Sequence, residues 1–121
     1  MALKFDHLGI VAAGPADLTE LAGFFGTVLG CEIDGDPAGG YAEARCGGAT
    51  IALHAGARTD VGRHGGTLLQ FTCADTDAEI AAIRARGGVI AAEPEDLPWG
   101  RSAYVAGPHG VMVEIYQPPA R

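Results

Sequence analysis

The sequence predicts an α+β fold in which two βαβββ modules in tandem form a curved, barrel-like mixed sheet around a cavity. One observation is the order of the segments. Each half has one helical stretch, which follows one stretch with the two-residue period of strands and precedes three more. The other is a repeated junction between helix and strand, Leu29–Ile33 and Arg86–Ile90, at a spacing of about 60 residues.

The length and composition indicate one domain. The chain has 121 residues, of which 48% are hydrophobic and 19% charged, and both values are ordinary for a packed globular domain. We therefore expect a single domain over 1–121, with the first module over about 1–58 and the second over about 64–121.

The first module begins with a predicted strand over Lys4–Ala12, in which His7 shares a face with Val11. After Gly14-Pro15, a helix is predicted over 16–29, because apolar residues recur there at helical spacing and Gly30 is a natural end. These apolar residues are Leu18, Leu21, Phe24, Phe25 and Leu29. Three short strands complete the module, over 31–34, 41–46 and 49–54.

The second module repeats this order. A polar loop over 55–66 leads to a predicted strand over 67–72, and Asp75 or Thr76 can cap the helix that follows over Asp77–Arg86. Gly87-Gly88 ends that helix. Three further strands are predicted over 89–92, 102–106 and 111–117.

The charge and the apolar pattern exclude several partners. A net charge of −7 would repel a phosphate backbone, so we expect no binding to nucleic acid. No apolar stretch approaches the roughly 18 residues of a membrane span, and no signal peptide opens the chain, so we expect no membrane and a cytoplasmic location. The three cysteines lack CxxC spacing, and we interpret them as small, buried, apolar residues. We also expect no nucleotide cofactor.

Aligning the two modules shows that their candidate functional residues differ. When Gly48 is placed over Gly110, Ala52 falls on Glu114 in the last strand. His7 in the first strand falls on Thr67 or Leu68. The repeat is therefore structural, whereas the chemistry of the two modules is asymmetric.

At these positions the chain resembles the vicinal oxygen chelate superfamily, which includes glyoxalases, bleomycin-resistance proteins, fosfomycin-resistance enzymes and extradiol dioxygenases. The resemblance covers nearly the whole chain. Four segments carry it: Asp6-His7-Leu8-Gly9-Ile10, Phe25-Gly26-Thr27-Val28-Leu29-Gly30-Cys31, Asp75-Thr76-Asp77-Ala78, and the closing Gly107-Pro108-His109-Gly110-Val111-Met112-Val113-Glu114-Ile115.

The resemblance implies one divalent metal ion, such as Zn, Ni, Mn or Fe, held by side chains on the first and last strands of each module. His7 and Glu114 match two of these positions, but Ala52 and Leu68 occupy the other two. Three protein ligands are the usual minimum for a catalytic metal. His54 lies two residues beyond Ala52 on the same strand face, so a shifted site of His7, His54 and Glu114 is one hypothesis. Gln70 stands in the same relation to Leu68.

Each candidate ligand also has a structural interpretation. His7 could instead be a pocket histidine bonded to a neighbour. A carboxylate such as Glu114, flanked by Val113 and Ile115, is costly to bury alone. It could therefore serve as a metal ligand or a catalytic base, pair with Arg101, or accept a simple hydrogen bond. His64 and His109 lie in predicted loops and are expected to be solvated.

The remaining candidates are residues suited to binding a small molecule. Trp99 lies in a segment that often closes over substrate in similar proteins, although it could be a packed surface aromatic. Arg101 could hold an anionic group of a ligand or form a surface ion pair. The full set of expected ligand-binding residues is Gln70, Trp99, Arg101, Tyr104, Met112 and Tyr116.

Two functions stay open at this stage, and the sequence does not decide whether the chain is an enzyme. The favoured one is a small-molecule-binding protein of the glyoxalase/bleomycin-resistance type, which holds an aromatic or natural-product ligand in the sheet cavity with little or no need for metal. The alternative is a metal-dependent lyase, isomerase or dioxygenase that acts on vicinal oxygens. Proteins that resemble this chain are commonly dimers, so we expect a homodimer in which His7 and Glu114 could meet across subunits.

Overall fold

The computed structural model of the chain describes residues 2–56, 66–108 and 111–120. Within this part, none of the helices is both long and apolar enough to cross a membrane. The strands and α-helices follow the predicted order: β1 (Lys4–Ala12), α1 (Pro15–Gly23), β2 (Glu32–Asp36), β3 (Tyr41–Cys46), β4 (Ala49–Ala55), β5 (Gly66–Thr72), α2 (Thr76–Ala85), β6 (Val89–Leu97), β7 (Gly100–Ala106) and β8 (Met112–Gln117).

The chain divides into two compact units. The first unit is His7–Leu68, and the second unit is Met1–Asp6 together with Leu69–Arg121. The boundaries fall inside β1 and β5, so each of these strands contributes residues to both units. The α+β class and the repeated βαβββ order are confirmed.

In the first unit the strand order is β2-β3-β4-β1, with β1 parallel to β4 and the other pairs antiparallel. Helix α1 covers one face of these strands, where Leu18 and Phe25 pack with Ala44 and Leu53 in a buried cluster. Because successive side chains of a strand point to opposite faces, Val11 and its cross-strand partner His54 lie on the other face. We call this the helix-free face of the first unit.

In the second unit the strand order is β5-β8-β7-β6. Helix α2 covers one face, where Ile80 packs with Ala103 of β7 and Ile115 of β8. The alternation of side chains therefore directs Tyr104 and Glu114, which are paired across β7 and β8, to the opposite face. We call this the helix-free face of the second unit.

The first helix is shorter than predicted. The α-helix ends at Gly23, and one π-helical turn follows over Phe24–Val28, in which the amide of Leu29 donates to the carbonyl of Phe24. A wider turn of this kind shifts the helical phase. Of the apolar residues at helical spacing in this part of the chain, Phe25 is buried, whereas Phe24 and Leu29 are 46% and 54% exposed.

Strand β6 is longer than predicted, because it continues to Leu97 instead of ending at Ala92. Acidic residues and Pro94 obscure the strand pattern in the sequence. A strand at the end of the sheet order can hold proline, because its backbone amide needs no partner on the outer side. The register shifts on both sides of Ala92, and β6 then meets β7 in a tight hairpin turn that contains Trp99.

Candidate functional site

The side chain of Glu114 is the most deeply buried carboxylate among the described residues, at 1% exposure. It lies in β8 between Val113 and Ile115, which both pack on the side of α2. Strand alternation therefore places the carboxylate on the helix-free face of the second unit. Burial of such a group is unfavourable unless its oxygens accept hydrogen bonds.

Three side chains donate hydrogen bonds to this carboxylate. The amide nitrogen of Gln70 donates to Oε1 at 2.7 Å. The hydroxyl of Ser102 donates to Oε2 at 2.7 Å, and the indole nitrogen of Trp99 donates to the same oxygen at 3.0 Å. Both carboxylate oxygens are therefore engaged, and the bonds compensate for the loss of water. We call Gln70, Trp99, Ser102 and Glu114 the Glu114 cluster.

The donors come from three separate parts of the second unit. Gln70 lies in β5, and Ser102 lies in β7 two residues before Tyr104, so it shares the face of Glu114. Both side chains are buried. Three bonds from different elements hold the carboxylate in one orientation, since moving it would leave buried donors without an acceptor.

Trp99 differs from the other donors because 47% of it is exposed. It lies in the β6–β7 turn, and the next residue, Gly100, has φ +143°, a value that side-chain-bearing residues rarely adopt. A Cβ atom at Gly100 would lie 2.1 Å from the carbonyl oxygen of Gln117. Only glycine therefore fits this turn, which brings the indole nitrogen within hydrogen-bond distance of Glu114 while about half of Trp99 stays exposed.

Three more of the predicted ligand-binding residues lie on the same face. Tyr104 is buried opposite Glu114, and Met112 is half-buried at the start of β8. Tyr116 is also half-buried, and its hydroxyl donates to Asp6 at 2.8 Å. The structure thus brings together five of the six predicted residues, namely Gln70, Trp99, Tyr104, Met112 and Tyr116.

Arg101 lies on the other side of β7, toward α2. Its guanidinium donates twice to Asp77, at 2.6 and 3.1 Å, and once to Asp96 at 3.1 Å. The bonds from Arg101 hold the pKa of Asp77 below its ordinary value, and the same carboxylates raise the pKa of Arg101. Of the alternatives for Arg101, the structure has the surface ion pair, formed with Asp77 and Asp96 rather than with Glu114.

The remaining candidate metal ligands lie in the first unit. His7 is half-buried on β1. His54 is half-buried on β4, where its ring meets the edge of Tyr41 at a centroid distance of 5.1 Å. Ala52 and Leu68 are buried and offer no ligand atom. His64 and His109, which the sequence analysis expects to be solvated, lie outside the described residues.

The Glu114 cluster does not fit a divalent metal ion. Over 2–56, 66–108 and 111–120, no three His, Cys, Asp or Glu side chains come together in a group that could hold one. The indole N–H of Trp99 is a donor only and cannot ligate a metal. The three bonds to Glu114 also occupy three of the roughly four lone-pair positions of its carboxylate. The metal site of His7, His54 and Glu114, which the resemblance implies, stays a prediction.

Ser102 is the member of the cluster that the sequence analysis missed. It is small and precedes two apolar residues, so nothing in its immediate sequence marks it as functional. The available signal was its spacing, because Ser102 is in phase with Tyr104 on a strand that pairs with the strand of Glu114.

Comparison with known proteins gives a family match over most of the chain. Residues 4–115 match the model of the Glyoxalase/Bleomycin resistance protein/Dioxygenase superfamily. No curated protein sequence matches the chain.

Solved structures share the fold at low sequence identity. A hypothetical protein from Bacillus halodurans C-125 is 17% identical, with a TM-score of 0.66, and the match covers 100% of this chain and 98% of that one. An NAD-dependent benzaldehyde dehydrogenase from Legionella pneumophila is 16% identical, with a TM-score of 0.69 and coverages of 93% and 99%. A methylmalonyl-CoA epimerase from Mycobacterium tuberculosis is 23% identical, with a TM-score of 0.62 and coverages of 97% and 89%.

Proposed function

Since this chain belongs to the Glyoxalase/Bleomycin resistance protein/Dioxygenase superfamily, we propose that it is a small-molecule-binding protein that needs no divalent metal to bind its ligand. The proposed binding surface is the helix-free face of the second unit around Glu114. The observation that supports this most is the hydrogen bonding of Glu114, whose oxygens are both occupied by side-chain donors. Such a carboxylate is prepared to recognise a hydrogen-bond donor rather than a metal ion.

Trp99 is the residue that a ligand would displace or cover. Gln70 and Ser102 are buried donors, whereas Trp99 is half-exposed and lies in a turn. A ligand with its own N–H or O–H group can replace the indole bond to Glu114 and stack on the freed ring. Met112 and Tyr116 add half-buried flat or flexible surface on the same face. Together these features favour an aromatic ligand that carries a donor.

The charge of the protein limits the class of ligand further. The chain carries a net charge of −7, and the ligand would approach a buried carboxylate. An anionic ligand would be repelled by both, a cationic one would be attracted, and a neutral one would meet no such repulsion. The proposed ligand is therefore a neutral or cationic aromatic compound, a description that includes many natural products.

The test uses the single tryptophan of the chain as its own probe. Protein treated with EDTA is titrated with metal-free bleomycin and with the aromatic cation proflavine, while Trp99 fluorescence and the heat of binding are recorded. We expect saturable quenching that EDTA does not change. The variant Glu114→Gln should bind about tenfold more weakly, which corresponds to about 1.4 kcal/mol.

The control variant is Asp77→Asn, which alters a carboxylate on the α2 side and should bind like the unmodified protein. Binding that disappears in EDTA and returns with Zn, Ni, Mn or Fe would contradict the proposal and favour the metal-dependent lyase, isomerase or dioxygenase. Equal affinity of Glu114→Gln and the unmodified protein would also contradict it. Homodimer formation and a cytoplasmic location stay predictions.

A further inference from the structure

Cys31 and Cys46 face each other at the edge of the first unit. Cys46 is the last residue of β3, and Cys31 immediately precedes β2. The antiparallel register pairs Glu32 with Arg45, so the next position along the ladder sets Cys31 opposite Cys46. Directly opposed residues of antiparallel strands have Cα atoms about 4.5–5.5 Å apart, a distance that lies within the range of disulfides.

The side chains also meet. Both thiols are half-buried and pack against the same cluster under α1. A hydrogen bond between the two thiols, together with burial, raises the pKa of Cys46. The strand register and this interaction between the thiols agree on a close pair.

We propose that Cys31 and Cys46 form a reversible redox site, which a low-molecular-weight disulfide such as oxidised glutathione converts to an intramolecular disulfide. The thiolate of one cysteine attacks the reagent and releases one reagent thiol, which leaves a mixed disulfide on the protein. The second cysteine, after losing its proton, attacks the protein sulfur of that bond and releases the other reagent thiol. Two protein thiols are thus oxidised while one reagent disulfide is reduced.

The disulfide would lock the edge of the first unit. It would close a loop that contains β2, β3 and the turn between them, and β2 lies at the end of the strand order. The amide of Cys31 donates to the carbonyl of Phe25 at 2.9 Å, so the bond would also tie the π-helical turn to β3. The inference is independent of the Glu114 cluster, which lies in the second unit.

Cys73 supplies an internal control. It is half-buried like the other two cysteines, but its sulfur lies 3.6 Å from the hydroxyl of Thr76 and not against a thiol. Burial raises its pKa. Under the same oxidant we expect Cys73 to give at most a mixed disulfide with glutathione.

The experiment is oxidation of the folded full chain with excess oxidised glutathione, followed by acid quenching, denaturation, blocking of free thiols and digestion with trypsin. The positions of lysine and arginine place the three cysteines in separate peptides, 5–45, 46–58 and 64–84. A Cys31–Cys46 bond therefore links the first two peptides, and mass spectrometry identifies that product directly. Dithiothreitol should separate them again.

We expect the linked peptide as the main oxidised product and a rise in thermal midpoint on the order of 10 °C relative to the reduced protein. Cys73→Ser should retain the linked peptide, whereas Cys31→Ser and Cys46→Ser should carry glutathione on the remaining partner. A product that links Cys73, links two chains, or leaves Cys31 and Cys46 reduced while Cys73 reacts would overturn the inference. Peptide mapping of the unmodified chain decides this even if a serine variant fails to fold.

Discussion

Ala52 and Glu114 occupy corresponding places in the two units, yet one is a methyl group and the other a carboxylate. Ala52 lies in β4 and Glu114 in β8, the last strands of the two βαβββ repeats, both on the helix-free face of their unit, and each is 1% exposed. Ala52 is paired across the sheet with Glu43, while Glu114 is paired with Tyr104 and accepts three hydrogen bonds. The fold therefore holds a hydrogen-bonded carboxylate at one of these positions and a methyl group at the other.

The faces that pack against the helices differ much less. In both units small or branched apolar residues lie under the helix, represented by Ala44 and Leu53 under α1 and by Ala103 and Ile115 under α2. Burial of this apolar surface stabilises each unit, so these positions are constrained by folding. The helix-free faces are less constrained, and the difference between them is where functional chemistry is expected.

The largest expected effect on stability comes from placing a carboxylate in the first unit at Ala52, the position that corresponds to Glu114. Ala52→Glu would bury a charge directly opposite Glu43, where directly opposed side chains have Cβ atoms about 4.5–5.5 Å apart. We expect a loss of about 5 kcal/mol in the free energy of unfolding, measured by urea denaturation.

The matched control is Ala52→Gln, which adds nearly the same volume without the charge. It should be clearly more stable than Ala52→Glu, because only overpacking and an extra polar group act against it. If the two variants have the same stability, the charge is not the reason that this position holds alanine.

The reverse substitution, Glu114→Ala, should cost about 4 kcal/mol, because it leaves the buried donors of Gln70 and Ser102 without their acceptor and opens a cavity. Urea denaturation measures this loss. Glu114→Gln keeps the volume and one acceptor oxygen, so its loss should be less than half as large. Equal stability of Glu114→Ala and the unmodified protein would show that the cluster exists for function without supporting the fold.

The sequence predicts the elements well where periodicity and turn residues agree. The first strand over Lys4–Ala12 and the strand over Tyr41–Cys46 have the predicted bounds, and Asp75 caps α2 as expected. The differences fall at the end of the first helix, where a π-helical turn replaces the predicted α-helix after Gly23, and in β6, where Pro94 obscures the strand pattern. Both depend on tertiary packing, which a local pattern does not contain.

The candidate site is only partly visible in the sequence, for a related reason. Glu114 and Gln70 were predicted to share the site, because the alternation of each strand is a local property. The bonds from Ser102 and Trp99 depend on the register between β7 and β8 and on a turn that only glycine permits at Gly100. Register and turn geometry follow from the folded sheet, so these two donors could not be assigned to Glu114 from sequence.

Substitutions in the hairpin turns of the two units are expected to have a smaller effect on the free energy of unfolding. Gly100→Ala introduces a Cβ against the backbone of Gln117 and a strained φ, so we expect a loss of about 2–3 kcal/mol in unfolding free energy. The fluorescence of Trp99 should shift, since the turn that aims it at Glu114 must change.

The corresponding turn of the first unit provides the control. Gly40 follows the turn between β2 and β3 with φ +98°, and a Cβ there would meet only Ala55, at an ordinary 3.8 Å. Gly40→Ala should therefore cost about 1 kcal/mol and leave the fluorescence of Trp99 unchanged. An unshifted Trp99 spectrum in Gly100→Ala would show that the turn does not position the indole.

The smallest effect concerns the beginnings of the two helices. Helix α1 starts at Pro15 behind Gly14, which provides no side-chain cap, whereas α2 is capped by Asp75 and has Asp77 in its first turn bonded to Arg101. The bond from Arg101 lowers the pKa of Asp77 below its ordinary 3.8. The folded state therefore binds the Asp77 proton less readily than the unfolded state, so this contribution is present above about pH 4 and is lost as the pH falls through the lowered pKa. Because the pair is exposed, the effect should be small and should shrink further in high salt. Urea midpoints measured between about pH 7 and pH 2 should fall less steeply for Asp77→Asn than for the unmodified protein. Parallel curves for the two proteins would show that the pair of Asp77 and Arg101 does not stabilise α2.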